Sequence, residues 1–232
     1  MARSKDTTTK LEIVQTASEC FLELGYSNTS PNLIVRKLGI STGNLTYYYA
    51  TKEHLLCVLV ELLCEFQWQL IEIEADRGIG SIASLCLETM TVATACAENN
   101  IARDFFVAVF QSEMCRNYLR NNHALRAKKI FAKQCADWPD RKFQETELLV
   151  KGLQYAAIVP TDADIPVKTK IDSALHQILS MYNVDEETRK KEIDRVLAME
   201  CRDISKKVLQ EFIRYVKHKN EQSMETVLCG NT

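Results

Sequence analysis

A chain of 232 residues, 46% hydrophobic and 26% charged, is long enough to bury a core without disulfide staples and has the composition of a folded soluble protein. Its formal charge of −2 excludes a strongly electrostatic, sequence-indifferent nucleic-acid binder, so any nucleic-acid function must rest on a compact local surface. Seven glycines and four prolines are too few for an all-β chain, and no apolar run approaches the ~18 residues of a membrane span. The polar start "MARSKDTTTKLE" lacks the apolar stretch of a secretory signal, and a cytosolic location is expected.

Nearly everything reads as helix. Residues 10–24 place Ile13, Ala17, Phe21 and Leu24 on one face, with Thr8 or Thr9 as cap and Gly25 as a left-handed stop. Ser30 followed by Pro31 is a cap and first-turn signature that opens a short helix, 31–38, ended by Gly39. Ser41 can cap a third short helix, 42–49, and Thr51 a long one from 52 to about 75. Beyond "DRGIGS" the periodicity predicts helices near 81–98, 101–112, 114–136, 141–158, 167–182, 185–199 and 202–219, with prolines 139, 160 and 166 in the breaks. The tail from Asn220 is expected to fray, and the charges of "DEETRKKEIDR" read as a solvated face. The short loops suit an antiparallel helical bundle, so the fold class is all-α. The nine cysteines are odd in number, form no CxxC pair and fall mostly in apolar helical runs. They read as reduced thiols acting as small hydrophobes; a redox or metal role is the alternative.

The stretch "GISTGNLTYYYATKEHLL", residues 39–56, asks why three tyrosines stand in a row. Three short helices with a glycine turn between the second and third read as a helix-turn-helix, whose third helix lies in the DNA major groove. At 100° per residue, Leu45 and Tyr49 share a face, while Tyr48 and Tyr47 each lie a further 100° round. A surface aromatic cluster used for protein contacts is the competing reading of "TYYY".

From about residue 10 to 66 the chain resembles the N-terminal domain of the tetracycline-repressor (TetR) family. The resemblance rests on Gly25-Tyr26, Thr29-Ser30, Ile34-Val35, Gly39-Ile40-Ser41, Gly43-Asn44-Leu45 and Lys52-Glu53-His54-Leu55, in that order. It departs from the family pattern at Thr42, Thr46, Tyr49 and Ala50, where a lysine, a tyrosine, a phenylalanine and a different residue are usual. The resemblance implies a DNA-binding surface of Ser41, Thr42, Gly43, Asn44, Thr46, Tyr47, Tyr48 and Lys52. Asn44 and Tyr47 would read bases, since asparagine can pair bidentately with adenine, while Tyr48 and Lys52 would hold phosphates and Tyr49 would be mostly core. Gly43 would let the backbone approach the DNA closely.

The resemblance also implies that the remainder dimerises and holds an effector. The expected dimer face is Leu149, Leu153 and Ala156 of 141–158 with Leu175, Ile178, Leu179 and Tyr182 of 167–182, although any one of these could be core. An effector pocket could be lined by Phe66, Phe105, Phe106, Phe110, Met114, Tyr118 and Tyr155, or these could fill a core. The expected domains are 1–54, a helix-turn-helix DNA-binding domain, and 55–232, a helical effector-binding and dimerisation domain. The expected function is a homodimeric regulator, most often a repressor, bound to a palindromic double-stranded DNA operator and released by a small apolar or amphipathic molecule. No phosphate loop, nucleophile elbow or metal-binding helix supports an enzyme, and no cofactor or membrane partner is expected. The alternative is an all-helical interaction module that retains the helix-turn-helix shape without specific DNA binding.

Overall fold

The hydrophobic periodicity becomes eleven helices and no strand among the residues that the computed structural model describes, which are 2–76, 80–159 and 165–229. In chain order they are α1 (Ala2–Leu24), α2 (Pro31–Leu38), α3 (Thr42–Tyr48), α4 (Lys52–Asp76), α5 (Ser81–Glu98) and α6 (Asn100–Gln111). They continue as α7 (Glu113–Ile130), α8 (Asp140–Ile158), α9 (Val167–Met181), α10 (Glu186–Leu197) and α11 (Cys201–Cys229). The fold class is thus all-α, with a helix-turn-helix at the N-terminal end and a helical bundle after it.

Local chemistry explains the boundaries. Ser30 Oγ accepts the Leu33 amide at 3.2 Å with Pro31 at the first helical position, and Gly39 leaves α2 at φ +66. Ser41 Oγ accepts the Asn44 amide at 3.2 Å to start α3. Three ends differ from the sequence reading. α7 stops at Ile130 rather than 136, with Phe131 as its C-cap and a run of turns after it. α1 begins at Ala2, so Thr8 and Thr9 lie within it rather than capping it; no glycine or proline between 2 and 24 interrupts the helix. α11 runs to Cys229 instead of fraying from Asn220, because Phe212, Val216 and Asn220 bury one face of it against the rest of the chain.

Two apolar clusters form the interior. The first joins α1, α2, α3, α4, α6, α7 and α11 around Phe21, Ile34, Leu56, Leu59, Phe105 and Phe212. The expected domain boundary at 54/55 falls in the first turn of α4, and this cluster runs across it. The second cluster joins α5 and α6 to α7–α10 around Phe131, Ile171, Ile178, Tyr182 and Ile193.

The second cluster corrects the expected dimer face. Leu175, Ile178, Leu179 and Tyr182 are buried within the chain, where α5, α8 and α10 already cover the apolar side of α9. The Tyr182 ring stacks on Phe131 at 4.2 Å, and its hydroxyl donates to Glu147 Oε1 at 2.5 Å. Leu153 is half-buried against the same cluster, while Leu149 and Ala156 face outward. Seven of the eight cysteines whose side chains are described are buried, and burial pushes the Cys57, Cys64, Cys86 and Cys96 thiols up to about 12, so they stay protonated near neutral pH.

Candidate nucleic-acid interface and ligand cavity

α3 is a short helix held from one side. Leu45 is buried, and Tyr49, just past the last turn, is 8% exposed, with its hydroxyl pushed up to about 12 mainly by burial and secondarily by Glu61. The opposite side is open: Ser41, Thr42, Gly43, Asn44 and Thr46 are exposed, and Tyr47 is 76% exposed. Gly43, Asn44 and Tyr47 fall together one turn apart. Tyr48 is half-buried, and its ring meets that of Tyr47 edge to face at 5.0 Å. Two of these polar groups are engaged with the helix itself: Ser41 as the cap, and Thr46 Oγ1 donating to the Thr42 and Gly43 carbonyls at 3.1 and 3.2 Å.

Lys52 stands apart from the sequence reading. Its ammonium donates to the Tyr26 carbonyl at 2.8 Å and sits 3.8 Å from the centre of the Tyr26 ring. Burial lowers its pKa, with Asp104 opposing. The side chain therefore ties α4 to the α1–α2 turn rather than reaching out for a phosphate. The signal that misled is a lysine at a helix N-terminus, which looks anion-seeking until the aromatic partner 26 residues away is known.

The helix-turn-helix is also gripped from α6, through residues that the sequence reading does not single out. Asp104 accepts the Ser27 amide at 2.8 Å and the Ser27 hydroxyl. Its carboxylate also packs on Gly25, at φ +92, where an added Cβ would come within 2.8 Å of Asp104 Oδ2. At the other end of α6, Ser112 donates its hydroxyl to Glu53 in the first turn of α4. These partners are 77 and 59 residues apart, so no local pattern announces them.

A cavity of about 170 Å³ lies directly behind this domain. α4 contributes Leu63, Phe66, Gln67 and Leu70, and α6 contributes Ile101, Ala102, Phe105 and Phe106. α5 lines it with a stripe at helical spacing: Ser84, Leu87, Glu88, Thr91, Val92 and Ala95. α11 closes the remaining side with Ile204, Ser205, Val208, Leu209, Phe212 and Ile213, and Leu22 of α1 touches it from the DNA-binding end. Of the expected pocket residues, Phe66, Phe105 and Phe106 line this cavity. Phe110 borders a separate small void of about 30 Å³, and its ring meets the exposed Tyr155 at 5.5 Å. Met114 and Tyr118 pack on the first cluster instead. The stripe of α5 and the wall from α11 were missed because most of their residues are small or aliphatic and look like ordinary core.

Behind Gln67 and Glu88 lies a buried polar cluster. Arg126, 2% exposed, pairs with Glu88, and Gln67 Nε2 donates to Glu88 Oε1 at 2.8 Å. Lys151 donates to His123 Nδ1 at 2.5 Å, which places the ring proton on Nε2, 3.2 Å from Gln67 Oε1. Burial, with Lys151 and Arg126 adding to it, holds His123 well below the usual histidine range.

Comparison with known proteins agrees with this geometry at the N-terminal end. Residues 13–57 match the family model described as bacterial regulatory proteins, tetR family. No curated protein matches this sequence. Among solved structures, the chain is similar to the TetR family protein CprB from S. coelicolor A3(2), at 18% identity and a TM-score of 0.46, covering 84% of this chain and 98% of that one. It is also similar to a gamma-butyrolactone receptor (ArpA like protein), at 16% identity and a TM-score of 0.41, covering 90% and 98%. Among the described residues no helix is long and apolar enough to cross a membrane. Residues 13–57, from α1 to the first turns of α4, are thus the part of the chain that is similar to the bacterial regulatory proteins of the tetR family.

Proposed function

We propose that this chain is a homodimeric transcription regulator of the repressor type, released from a palindromic DNA operator by a small apolar or amphipathic molecule held in the cavity. The observation that carries this reading is α3: a capped helix, fixed on one side by Leu45 and Tyr49, that holds Gly43, Asn44 and Tyr47 out into solvent. Asn44 reads a base edge, Tyr47 touches a neighbouring base, and Tyr48 takes a phosphate. Ser41, Thr42 and Thr46 border the contact, and Gly43 permits close approach of the backbone. Lys52 acts here as a brace for Tyr26. Residues 1–54 serve DNA binding, and 55–232 serve effector binding and dimerisation.

α6 links the two sites in this reading. Phe105 and Phe106 line the cavity, and Asp104 between α6 and the α1–α2 turn holds Ser27. A molecule that displaces α6 changes the seating of the helix-turn-helix, and by linkage the operator lowers the affinity for that molecule by the same factor. The dimer reading moves to the outer face of α8. Leu148, Leu149, Tyr155 and Ala156 are exposed there, and a Cβ at Gly152 would meet nothing within 4 Å. Leu149→Asp is expected to yield monomers by light scattering and to abolish operator binding.

The deciding experiment is a gel shift of the full chain on the DNA upstream of its own gene, repeated across salt concentrations and against unrelated DNA. Specific binding supports the proposal. Binding equal on all sequences, or none, favours the alternative of an interaction module without specific DNA binding, a reading to which the inward turn of Lys52 lends weight.

A further inference from the structure

The cavity wall is chemically one-sided, and this constrains what it can hold. Glu88 is its ionisable lining residue, and that carboxylate is already paired with Arg126 from behind. Gln67 is engaged at both ends of its amide, by Glu88 and by His123. Ser205 donates to the Thr91 carbonyl at 3.0 Å, which closes α11 onto α5. Ser84 is different. It is 5% exposed, lines the cavity, and its Oγ has no hydrogen-bond partner among the described residues. A buried hydroxyl without a partner has lost its hydration with nothing in return, so a guest that supplies a partner is favoured there.

Shape adds to the chemistry. From Ser84 to Ala95 the α5 stripe runs eleven helical steps, about 16 Å along the axis. Past the Gln67–Glu88–Ser84 end, the walls are mainly Leu, Ile, Val, Ala and Phe side chains, with Thr91 and Ser205 joined across α5 and α11 and Asn99 Oδ1 accepting the Ile101 and Ala102 amides. A cavity of about 150 Å³ lined by such groups accepts a benzene-sized guest. An anion would find no cation on the wall, and a cation would have to compete with Arg126 for Glu88.

We propose that the cavity binds an uncharged, slender, mainly hydrocarbon molecule with one small hydrogen-bonding head, the head seated on Ser84 Oγ and the tail running along α5 beneath α11 toward Phe105. This rests on the reading of the cavity as the effector site only for its consequence on DNA; the binding itself stands on the wall described above.

The test is calorimetric titration of the full-length protein, without DNA, with 1-octanol, octanoate, octylammonium and toluene. One molecule of 1-octanol per chain is expected. Octanoate and octylammonium should bind at least about a hundredfold more weakly, because burying an unpaired charge costs several kcal/mol. Ser84→Ala should weaken 1-octanol by about two- to tenfold, as the loss of one neutral hydrogen bond does, and leave toluene unchanged. Leu209→Trp, which fills the cavity from α11, should remove both. The proposal is overturned by absence of 1-octanol binding, by octanoate or octylammonium binding as well as the alcohol, or by a Ser84→Ala effect that is nil or equal on toluene. A gel shift with 1-octanol is read separately: binding without a change in operator affinity would defeat the inducer reading and leave this one intact.

Discussion

α3 and α11 flank the same apolar cluster and use their side chains in opposite ways. α3 has seven residues and buries one of them, Leu45, so nearly all its chemistry faces solvent. α11 has 29 residues and holds Ser205, Phe212, Val216 and Asn220 in the interior, with Ile204, Val208 and Leu209 along a cavity. The first is a reading surface positioned by others. The second is a wall that gives α1, α4 and α5 something to pack against. The difference teaches that substitutions in the two helices should separate cleanly into effects on recognition and effects on stability.

The largest expected effect tests the wall. Phe212 is 5% exposed and its ring lies 5.5 Å from that of Phe66. Phe212→Ala should cost about 3–5 kcal/mol in urea unfolding, the range for emptying a buried aromatic site. A loss below about 1 kcal/mol would mean that α11 is not part of the core, and the contrast with α3 would collapse.

Asn44→Ala should do the reverse. It should cost about 1–3 kcal/mol on the operator and relax preference at one base pair, with the unfolding midpoint unmoved. Gel shifts on a panel of operator variants check this. A uniform loss across the panel would reassign Asn44 from base reading to backbone contact.

The third prediction carries the comparison to the polar cluster at the far side of Gln67. His123 has its folded pKa depressed by burial, then by Lys151 and Arg126, while Glu88 and Glu147 are the carboxylates of the same cluster. The unfolded chain therefore binds the proton that the folded chain refuses. Stability is fully present above the ordinary histidine pKa of roughly 6.5 and falls as pH drops below it, by at most about 1.4 kcal/mol per pH unit for one proton. Urea unfolding between pH 7.5 and 5 should show this slope, and His123→Gln should flatten it. α3 has no titrating group of this kind, so intrinsic contacts of Asn44 should keep their relative strength over the same range.

The smallest effect sits on the link between the two helices. Asp104→Ala removes the acceptor for the Ser27 amide and hydroxyl and should cost about 1 kcal/mol of stability. It should also narrow the gap in operator affinity between the free and the octanol-bound protein, measured by gel shift. An unchanged gap would place the coupling elsewhere, on α4.

Much of the architecture was legible in the sequence. Ser30-Pro31, Gly39 and Ser41 act through bonds that close within three to five residues, and the helix boundaries they set were readable for that reason. The Leu45–Tyr49 face follows from the angle between neighbouring residues alone. Lys52 was misread because its partner is a ring and a carbonyl in the α1–α2 turn, 26 residues away. The α9 positions were misread because an apolar helical face looks the same whether its neighbour is in the same chain or in a copy. Leu175 and Ile178 satisfy periodicity equally well in both cases, and only the packing of α5, α8 and α10 decides it.

By itself, then, the sequence determined an all-helical chain, the helix-turn-helix and the side of α3 that faces outward, since all three depend on short-range geometry. The tertiary structure decided that α11 walls a cavity, that Ser84 is left without a partner in it, that Asp104 holds the α1–α2 turn, and that the open apolar face belongs to α8. Each of these joins groups tens of residues or more apart, and hydrophobic spacing specifies that a face must be buried without specifying against what.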